Sequence, residues 1–178
     1  MPAEQLRPGT EMLRSIVAAA AAVVSTCALA HVTLETGQAP IGSGYKAVLR
    51  VPHGCDGSPT TAIRVKIPEG VIDVKPMPKA GWTVNVVKGK YAKAHKLFKA
   101  QVSEGAIEID WSGGKLPDDF YDEFVFHAVL ASDLEPGTVL YFPVVQQCEK
   151  GVHRWIEIPK PGSDYPEPAP GLKLLPKS

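Results

Sequence analysis

The sequence predicts an all-β protein, an antiparallel β-sandwich of immunoglobulin-like or cupredoxin-like type. Short runs of alternating apolar and polar residues recur along the chain, and proline and glycine separate them. Helical periodicity is nearly absent after residue 30, so the sequence offers no helices to connect parallel strands. Regular short strands without interposed helices are typical of an antiparallel sandwich.

The alternating runs predict about nine strands. They cover residues 31–35, 45–51, 61–67, 82–87, 96–102, 106–111, 123–130, 139–145 and 152–158. Residues that favour turns separate many of these runs. They include Pro52-His53-Gly54, Pro68-Glu69-Gly70, Ser112-Gly113-Gly114 and Glu135-Pro136-Gly137.

Residues 1–30 have the features of a cleaved secretion signal. Basic residues precede an uncharged apolar run over 15–30, and Ala28 and Ala30 supply the small residues that precede a cleavage point. The run is too short and too rich in alanine to indicate a membrane span. Either the first methionine or Met12 could start this signal.

Cleavage after Ala30 predicts a mature protein that begins at His31 and is exported across the inner membrane into the periplasm. The sandwich is expected to occupy residues 31–158. Residues 159–178 contain many prolines and few residues able to build a core, so we expect a flexible tail there. No apolar stretch in the mature chain is long enough to insert into a bilayer.

The composition disfavours several classes of function. The 19 basic and 19 acidic residues balance, so the net charge does not favour binding to nucleic acid or anionic lipid. The sequence also lacks a serine hydrolase constellation, a glycine-rich phosphate loop and paired CxxC motifs. Specific side chains, and not bulk charge, must therefore recognise the partner.

Cys55 and Cys148 are the cysteines that remain after the signal. Two distant cysteines in an oxidising compartment predict a structural disulfide, and a thiolate metal pair is the alternative. Met77 is the one methionine after residue 30, so a methionine-rich site for Cu(I) cannot be assembled. Any metal must be held by nitrogen and oxygen.

His31 is the leading candidate for a metal ligand. A histidine at a free N-terminus offers its α-amino nitrogen and its imidazole nitrogen to one ion. That pair of donors suits Cu(II), which prefers nitrogen and oxygen ligands in a tetragonal plane. The alternative is that histidine follows the cleavage point by chance, since signal peptidase tolerates many residues there.

Six segments, in order and across nearly all of the mature chain, resemble the YcnI-like family of exported copper-binding domains. They are "HVTLE" at 31–35, "YKAVLRVPHGCDG" at 45–57, "TTAIRVKIPEGV" at 60–71, "KAGWTV" at 79–84, "EFVF" at 123–126 and "VHRWIEIP" at 152–159. The resemblance implies a cupredoxin-like sandwich that binds Cu(II) at a single-histidine brace. In that site the mature N-terminal histidine binds through its amine and imidazole, and an acidic loop residue and a tryptophan lie beside the metal.

The resemblance assigns the brace to His31 and the tryptophan to Trp155. The acid does not carry over directly, because the loop reads "VPHGCDG" and His53 or Gly54 stands nearest to the family's glutamate. Imidazole is a good donor to copper, so we take His53 as the second protein ligand. Asp56 is the alternative.

The strand predicted at 152–158 carries further candidates. Its two-residue period places His153, Trp155 and Glu157 on one face. The predicted disulfide would bring the His53 loop beside this segment. His153 or Glu157 could complete the coordination or belong to a solvated face, and Trp155 could simply be a core aromatic.

Other polar features are expected to be structural. His95 lies in the basic stretch 88–99, which predicts a solvated hairpin, and His127 is expected to pack on a strand or face solvent. The acidic segment 116–124 does not match the spacing of an EF-hand loop and predicts a polar connection.

These observations predict an exported Cu(II)-binding protein that is not an enzyme. It would buffer copper or pass it to another copper-trafficking protein or a membrane copper transporter. One alternative is a copper-dependent polysaccharide monooxygenase, although the sequence indicates neither a flat aromatic platform nor an axial aromatic ligand. A metal-free sandwich for adhesion or assembly is the other alternative, and its function would not depend on His31.

Overall fold

The computed structural model describes residues 31–160 and 162–177, and within them it contains twelve strands and no helix. In chain order they are β1 (Thr33–Leu34), β2 (Gln38–Pro40), β3 (Gly44–Val51), β4 (Thr60–Lys66), β5 (Val71–Pro76), β6 (Thr83–Leu97), β7 (Ala100–Leu116), β8 (Asp122–Leu130), β9 (Val139–Tyr141), β10 (Val144–Cys148), β11 (Val152–Trp155) and β12 (Gly171–Leu175). Over this described range, no helix is long and apolar enough to span a membrane. The predicted secretion signal and its cleavage point lie outside the described residues.

Two antiparallel sheets form the sandwich. One has the strand order β1-β3-β8-β5, and the other has the order β11-β10-β4-β7-β6. A third sheet, β2-β12-β9, combines a parallel pair, β2 with β12, and an antiparallel pair, β12 with β9. The predicted antiparallel sandwich is confirmed.

The alternating runs place one face of each main sheet in the core. On β4, Ile63 and Val65 are fully buried while Arg64 is exposed. The ring of Trp111 on β7 packs against Phe124 on β8 with centroids 5.7 Å apart, which joins the two main sheets. Full burial of one such side chain contributes about 1.5 to 3 kcal/mol, so this interlayer packing is a major source of stability.

Two predictions around the long β6–β7 hairpin are wrong. The run 96–102 is not one strand, because β6 ends and β7 begins within it, and Phe98 adopts a positive φ of 54° at the turn. Apolar and polar residues alternate on both sides of this tight turn, so the sequence pattern resembles one continuous strand. The predicted turn at 112–114 lies inside β7, and Trp82 packs so closely on Gly114 that a Cβ there would lie 2.1 Å from its ring.

The flexible tail predicted for 159–178 is also wrong, because β12 lies within it. This strand pairs with β2 and β9, and Leu172 and Leu174 are buried in the core. The five residues of β12 alternate with a period of two, but neighbouring prolines hide that short signal. The run 139–145 is likewise divided at 142–143, and its two halves, β9 and β10, enter different sheets.

The stretch 88–99 lies on the β6–β7 hairpin, and most of its residues are exposed or partly exposed, as predicted, but His95 itself is fully buried. Its Nδ1 is 3.1 Å from Asp133 Oδ1, and its Nε2 is 2.7 Å from Glu69 Oε1. Each ring nitrogen thus faces a carboxylate oxygen, which can accept a hydrogen bond from it. This histidine clamps β6 to the loops that carry the two acids.

The charges around this clamp favour ionised carboxylates. The hydrogen bond from Lys93, with a smaller one from His95, lowers the pKa of Asp133 to about 2. Burial alone would raise the pKa of Glu69, but its hydrogen bonds from His95 and the Ala92 backbone outweigh burial and lower it. The clamp is therefore a charge-assisted link between the hairpin and the rest of the sandwich.

Replacing His95 by alanine is expected to lower the free energy of unfolding by about 2 kcal/mol, because two charge-assisted hydrogen bonds are lost and a cavity is left. Denaturant unfolding at pH 7 measures the change. His127→Ala is the matched control, since its ring is exposed on β8, and it should change stability by less than about 0.5 kcal/mol. Equal stabilities for the His95 and His127 variants would contradict the clamp.

The lowered pKa of Asp133 predicts an acid-sensitive contribution to stability. Its folded-state pKa of about 2 lies below its ordinary value of about 3.9. The stabilisation is therefore present above pH 4 or so and disappears as the pH falls toward 2. Asp133→Asn should flatten the dependence of the unfolding free energy on pH in this window, and an unchanged profile would contradict the assignment.

Candidate metal site

Four aromatic rings from separate parts of the chain form a histidine–tryptophan cluster: His31, His53, His153 and Trp155. The rings of His31 and Trp155 have centroids 5.4 Å apart, those of His153 and Trp155 are stacked at 4.9 Å, and those of His53 and His153 meet edge to face at 5.9 Å. The three residues predicted for the metal site, His31, His53 and Trp155, are thus brought together around His153.

The cluster lies where the edges of the two main sheets meet. His31 comes two residues before β1, the edge strand of one sheet, and Trp155 ends β11, the edge strand of the other. His53 lies in the loop that follows β3, the neighbour of β1. The sandwich topology therefore explains why residues so distant in sequence share one place.

The Cys55–Cys148 disulfide is present, as predicted. It joins the loop after β3 to the end of β10, with Cα atoms 6.0 Å apart and a sequence separation of 93 residues. Because β10 pairs with β11 and places Gln146 opposite His153, the disulfide holds the His53 loop beside the strand that carries His153. Hydrogen bonding of the Lys150 amide to Ser58 Oγ at 2.8 Å reinforces the link.

Gln146 is a buried polar residue that links the cluster internally. Its Oε1 accepts a hydrogen bond from Trp155 Nε1 at 3.0 Å. Its Nε2 donates to the His53 carbonyl at 2.7 Å and to Thr60 Oγ1 at 2.8 Å. One amide therefore sets the position of both the tryptophan ring and the His53 loop. Trp155 is also part of the hydrophobic core, which agrees with the alternative prediction that it is a core aromatic residue.

The loop around His53 is closed by short-range contacts. The Gly54 amide donates to Asp118 Oδ1 at 2.9 Å, and the amides and carbonyls of Cys55 and Ser58 hydrogen-bond each other. Glycine is required at position 54, because a Cβ there would lie 2.0 Å from the Ser58 carbonyl oxygen. His53 is therefore presented by an ordered turn.

The hydrogen bonds of His53 and His153 favour the same tautomer in both rings. His53 Nδ1 lies 2.6 Å from the Gly54 carbonyl, and His153 Nδ1 lies 2.7 Å from Glu167 Oε1. An Nδ1–H that donates to oxygen places the lone pair of a neutral imidazole on Nε2. Ligating histidines in proteins usually have this arrangement.

Glu167 is a functional candidate that the sequence did not reveal. Besides contacting His153, its carboxylate accepts a hydrogen bond from the Arg154 amide at 3.0 Å. Burial alone would raise the pKa of Glu167, but these two hydrogen bonds outweigh it and lower the pKa, so the group is ionised. Residue 167 fell in the predicted tail, and no local pattern pairs it with β11.

The remaining predicted candidates have other positions. Glu157 Oε2 accepts the Glu167 amide at 2.7 Å, so this carboxylate holds the segment that carries Glu167. Asp56 lies in the exposed turn after the disulfide, where it lines a surface recess with Glu149 and Lys150. His127 is exposed on β8, within the two outcomes predicted for it.

The protein is thus an antiparallel β-sandwich with a histidine–tryptophan cluster beside its edge strands β1 and β11. Residues 31–174 match the family described as "Domain of unknown function (DUF1775)", and the chain belongs to this family. The YcnI-like proteins that the sequence resembles are part of it. No curated protein matches the sequence.

A solved structure has the same fold. It is described as "Crystal structure of an uncharacterized protein from Nocardia farcinica reveals an immunoglobulin-like fold". The two chains are 26% identical, with a TM-score of 0.61, and the match covers 82% of this chain and 98% of the other. Of the two predicted sandwich types, this likeness supports the immunoglobulin-like one.

The disulfide predicts a large loss of stability on removal. Replacing Cys55 and Cys148 together by serine should lower the free energy of unfolding by about 2 to 5 kcal/mol, because the unfolded chain regains the freedom of a long loop. Denaturant unfolding of both proteins measures this difference. Mass spectrometry of unreduced protein provides the control, and two free thiols there would contradict the bridge.

Proposed function

We propose that the protein is an exported Cu(II)-binding protein, with the metal held by His31 and His53 beside Trp155. The observation that supports this is the histidine–tryptophan cluster, because three imidazoles from different parts of the chain converge at one edge of the sandwich. Nitrogen donors of this kind match the preference of Cu(II).

The α-amino group of His31 is the donor that completes the site. Among the side chains of residues 31–160 and 162–177, no group of three or more His, Cys, Asp or Glu is arranged to hold a metal. Export and cleavage after Ala30 would create a free amine next to the His31 imidazole. The two nitrogens of one residue then chelate the ion, and His53 supplies a further nitrogen through Nε2.

Trp155 would shield the metal and does not need to donate to it. Its indole is 2% exposed, and its Nε1–H is already hydrogen-bonded to Gln146. The ring therefore presents an apolar surface to His31. Such a surface excludes water from one side of a bound ion, which slows exchange with solvent.

Copper is cargo in this proposal, and no turnover is required. The disulfide is consistent with an oxidising, extracytoplasmic compartment, where Cu(II) is available for buffering. The recipient would be another copper-trafficking protein or a membrane copper transporter. The partly exposed His31 and His53 rings leave the ion accessible to such a partner.

Protein that begins at His31 should bind Cu(II) at least tenfold more tightly than protein with the extension Gly-Ser-Gly-Pro before His31, because only the first has the amine–imidazole chelate. Proline at the junction has no amide proton that copper could displace. Competition against a chelator measures the affinities, and paramagnetic resonance reports the donors. Equal affinities for the two proteins would contradict the brace.

His53→Ala in the mature protein should remove one imidazole from the resonance spectrum and weaken binding at least tenfold, which corresponds to about 1.4 kcal/mol. His127→Ala is the matched control, since it removes an exposed imidazole outside the cluster. Asp56→Ala should leave the spectrum unchanged. The assignment of His53 is wrong if Asp56→Ala loses copper while His53→Ala keeps the spectrum of the unmodified protein.

A further inference from the structure

The end of the β6–β7 hairpin carries a positive charge that the balanced composition of the whole chain conceals. Five lysines and no acidic residue lie between Thr83 and Ser103. The pairing of β7 with β4 spans Glu108 to Leu116, so residues 88–106 of the hairpin extend past β4. Residues 96–99, at the far end of this extension, form what we call the hairpin tip. The tip is therefore a cationic end that projects beyond the sheet.

The lysines of the tip lack the contacts that neutralise charge nearer the sheet. Lys93 Nζ lies 2.8 Å from Asp133 Oδ2, and Glu104, the nearest acid along β7, lies opposite a lysine of β6. Lys96 and Lys99 are exposed, and they form no ion pair with the residues that the structure describes. Their ammonium groups can therefore bind an external anion.

Phe98 stands at the apex of the tip in a position that does not benefit the fold. Its side chain is 79% exposed, so burial does not stabilise it. Its φ of 54° lies in the left-handed region, which is strained for a bulky side chain and favours glycine. Strain of this kind occurs preferentially at functional sites. We therefore expect the phenylalanine ring to serve a contact outside the chain.

A recess beside the tip adds a second position for negative charge. It has a volume of about 270 Å³, and its lining includes Lys96 and Phe98 of the tip together with Lys177 and Ser132. None of the described residues that line it is acidic. Ammonium groups and a hydroxyl are donors that suit the oxygens of a phosphate group. The exposed ring is thus bordered by cations and by a place for a phosphate.

From these observations we propose that the hairpin tip docks the protein on the surface of a membrane that contains anionic phospholipid. Phe98 enters the boundary between headgroups and acyl chains, and Lys96, Lys99 and Lys177 bind the phosphates around it. The apolar stems of the lysines lie along the headgroup region while their ammonium groups remain in water. Stable peripheral binding requires such a combination of an apolar anchor and a cationic patch.

The shape of the tip favours a lipid surface over a nucleic acid. Single-stranded nucleic acid is usually bound in a cationic groove, where successive bases stack on aromatic rings. Here the ring of Phe98 is at the apex of a projecting turn, with a lysine on each side of residues 97–98. A projecting end of this kind can enter a flat interface, whereas it offers no path for a strand to follow.

Docking at the tip does not involve the histidine–tryptophan cluster. The strands β6 and β11 are the two edges of the five-stranded sheet, and the cluster lies beside β11. A protein held by its hairpin would keep the cluster free for another partner. The inference goes beyond copper binding and does not depend on it, so its test uses metal-free protein.

The test measures how protein that begins at His31 sediments with two kinds of vesicle. One kind contains equal parts of phosphatidylglycerol and phosphatidylcholine, and the other contains phosphatidylcholine alone. The partition coefficient should be at least about tenfold higher on the anionic vesicles and should fall as salt is added, because salt screens the lysines. Equal partition on both vesicles, or binding to double-stranded DNA without binding to the anionic vesicles, would overturn the proposal.

Phe98→Gly separates docking from folding. Glycine adopts the φ of this position without strain, so the midpoint of denaturant unfolding should remain close to that of the unmodified protein. Partition onto the anionic vesicles should nevertheless weaken at least about tenfold, because the apolar anchor is lost. If the Phe98→Gly variant binds these vesicles as tightly as the unmodified protein, the ring is not an anchor and the proposal is wrong.

Two double variants test whether the lysines of the tip act by their position. Lys96→Ala with Lys99→Ala should weaken partition onto the anionic vesicles at least about tenfold. Lys150→Ala with Lys160→Ala is the matched control, since both lysines are exposed and lie on either side of β11. It removes the same charge and should weaken partition by less than about twofold. Losses of equal size in the two double variants would overturn the assignment of the tip.

Discussion

The covalent link between Cys55 and Cys148 is the constraint on which the candidate site depends. It fixes the loop after β3 to the end of β10, and β10 places Gln146 opposite His153 on the edge strand β11. A link across 93 residues removes many conformations from the unfolded chain. In the folded chain it also holds this loop beside the strand pair of β10 and β11.

Gln146 fixes the relative positions of the groups that the disulfide brings together. A buried amide is costly unless its polar atoms are paired, and here its oxygen and nitrogen bind the Trp155 indole, the His53 carbonyl and Thr60. Any shift of the loop would leave one of these buried groups without its partner. The network therefore holds the tryptophan ring and the histidine loop in register, which hydrophobic packing alone would define less sharply.

The fold was largely predictable, because alternation along β3, β4 and β8 reflects one buried face per strand. His31, His53 and Trp155 could also be named from the sequence, since a chain end, a loop beside a cysteine and a strand aromatic are local features. The roles of residues whose partners are distant in sequence could not be predicted. The basic stretch around His95 indicates solvent exposure, because its partners Glu69 and Asp133 are distant in sequence. Likewise, no residue near Glu167 in sequence indicates that the C-terminal segment returns to β11. Gln146 is the member of the hydrogen-bond network that stands out locally, because it is a polar residue on the buried face of β10.

The same dependence on distant segments links the proposed copper site to complete folding. The N-terminal residue, the disulfide-bound loop and β11 supply the rings, and the segment before β12 supplies the carboxylate that orients one of them. A partly folded chain has the same donors but holds them apart, so each would have to be ordered at the moment of binding. In the folded chain that ordering is already done by the disulfide, by Gln146 and by the buried leucines of β12. Affinity for the ion would therefore be a property of the completely folded sandwich.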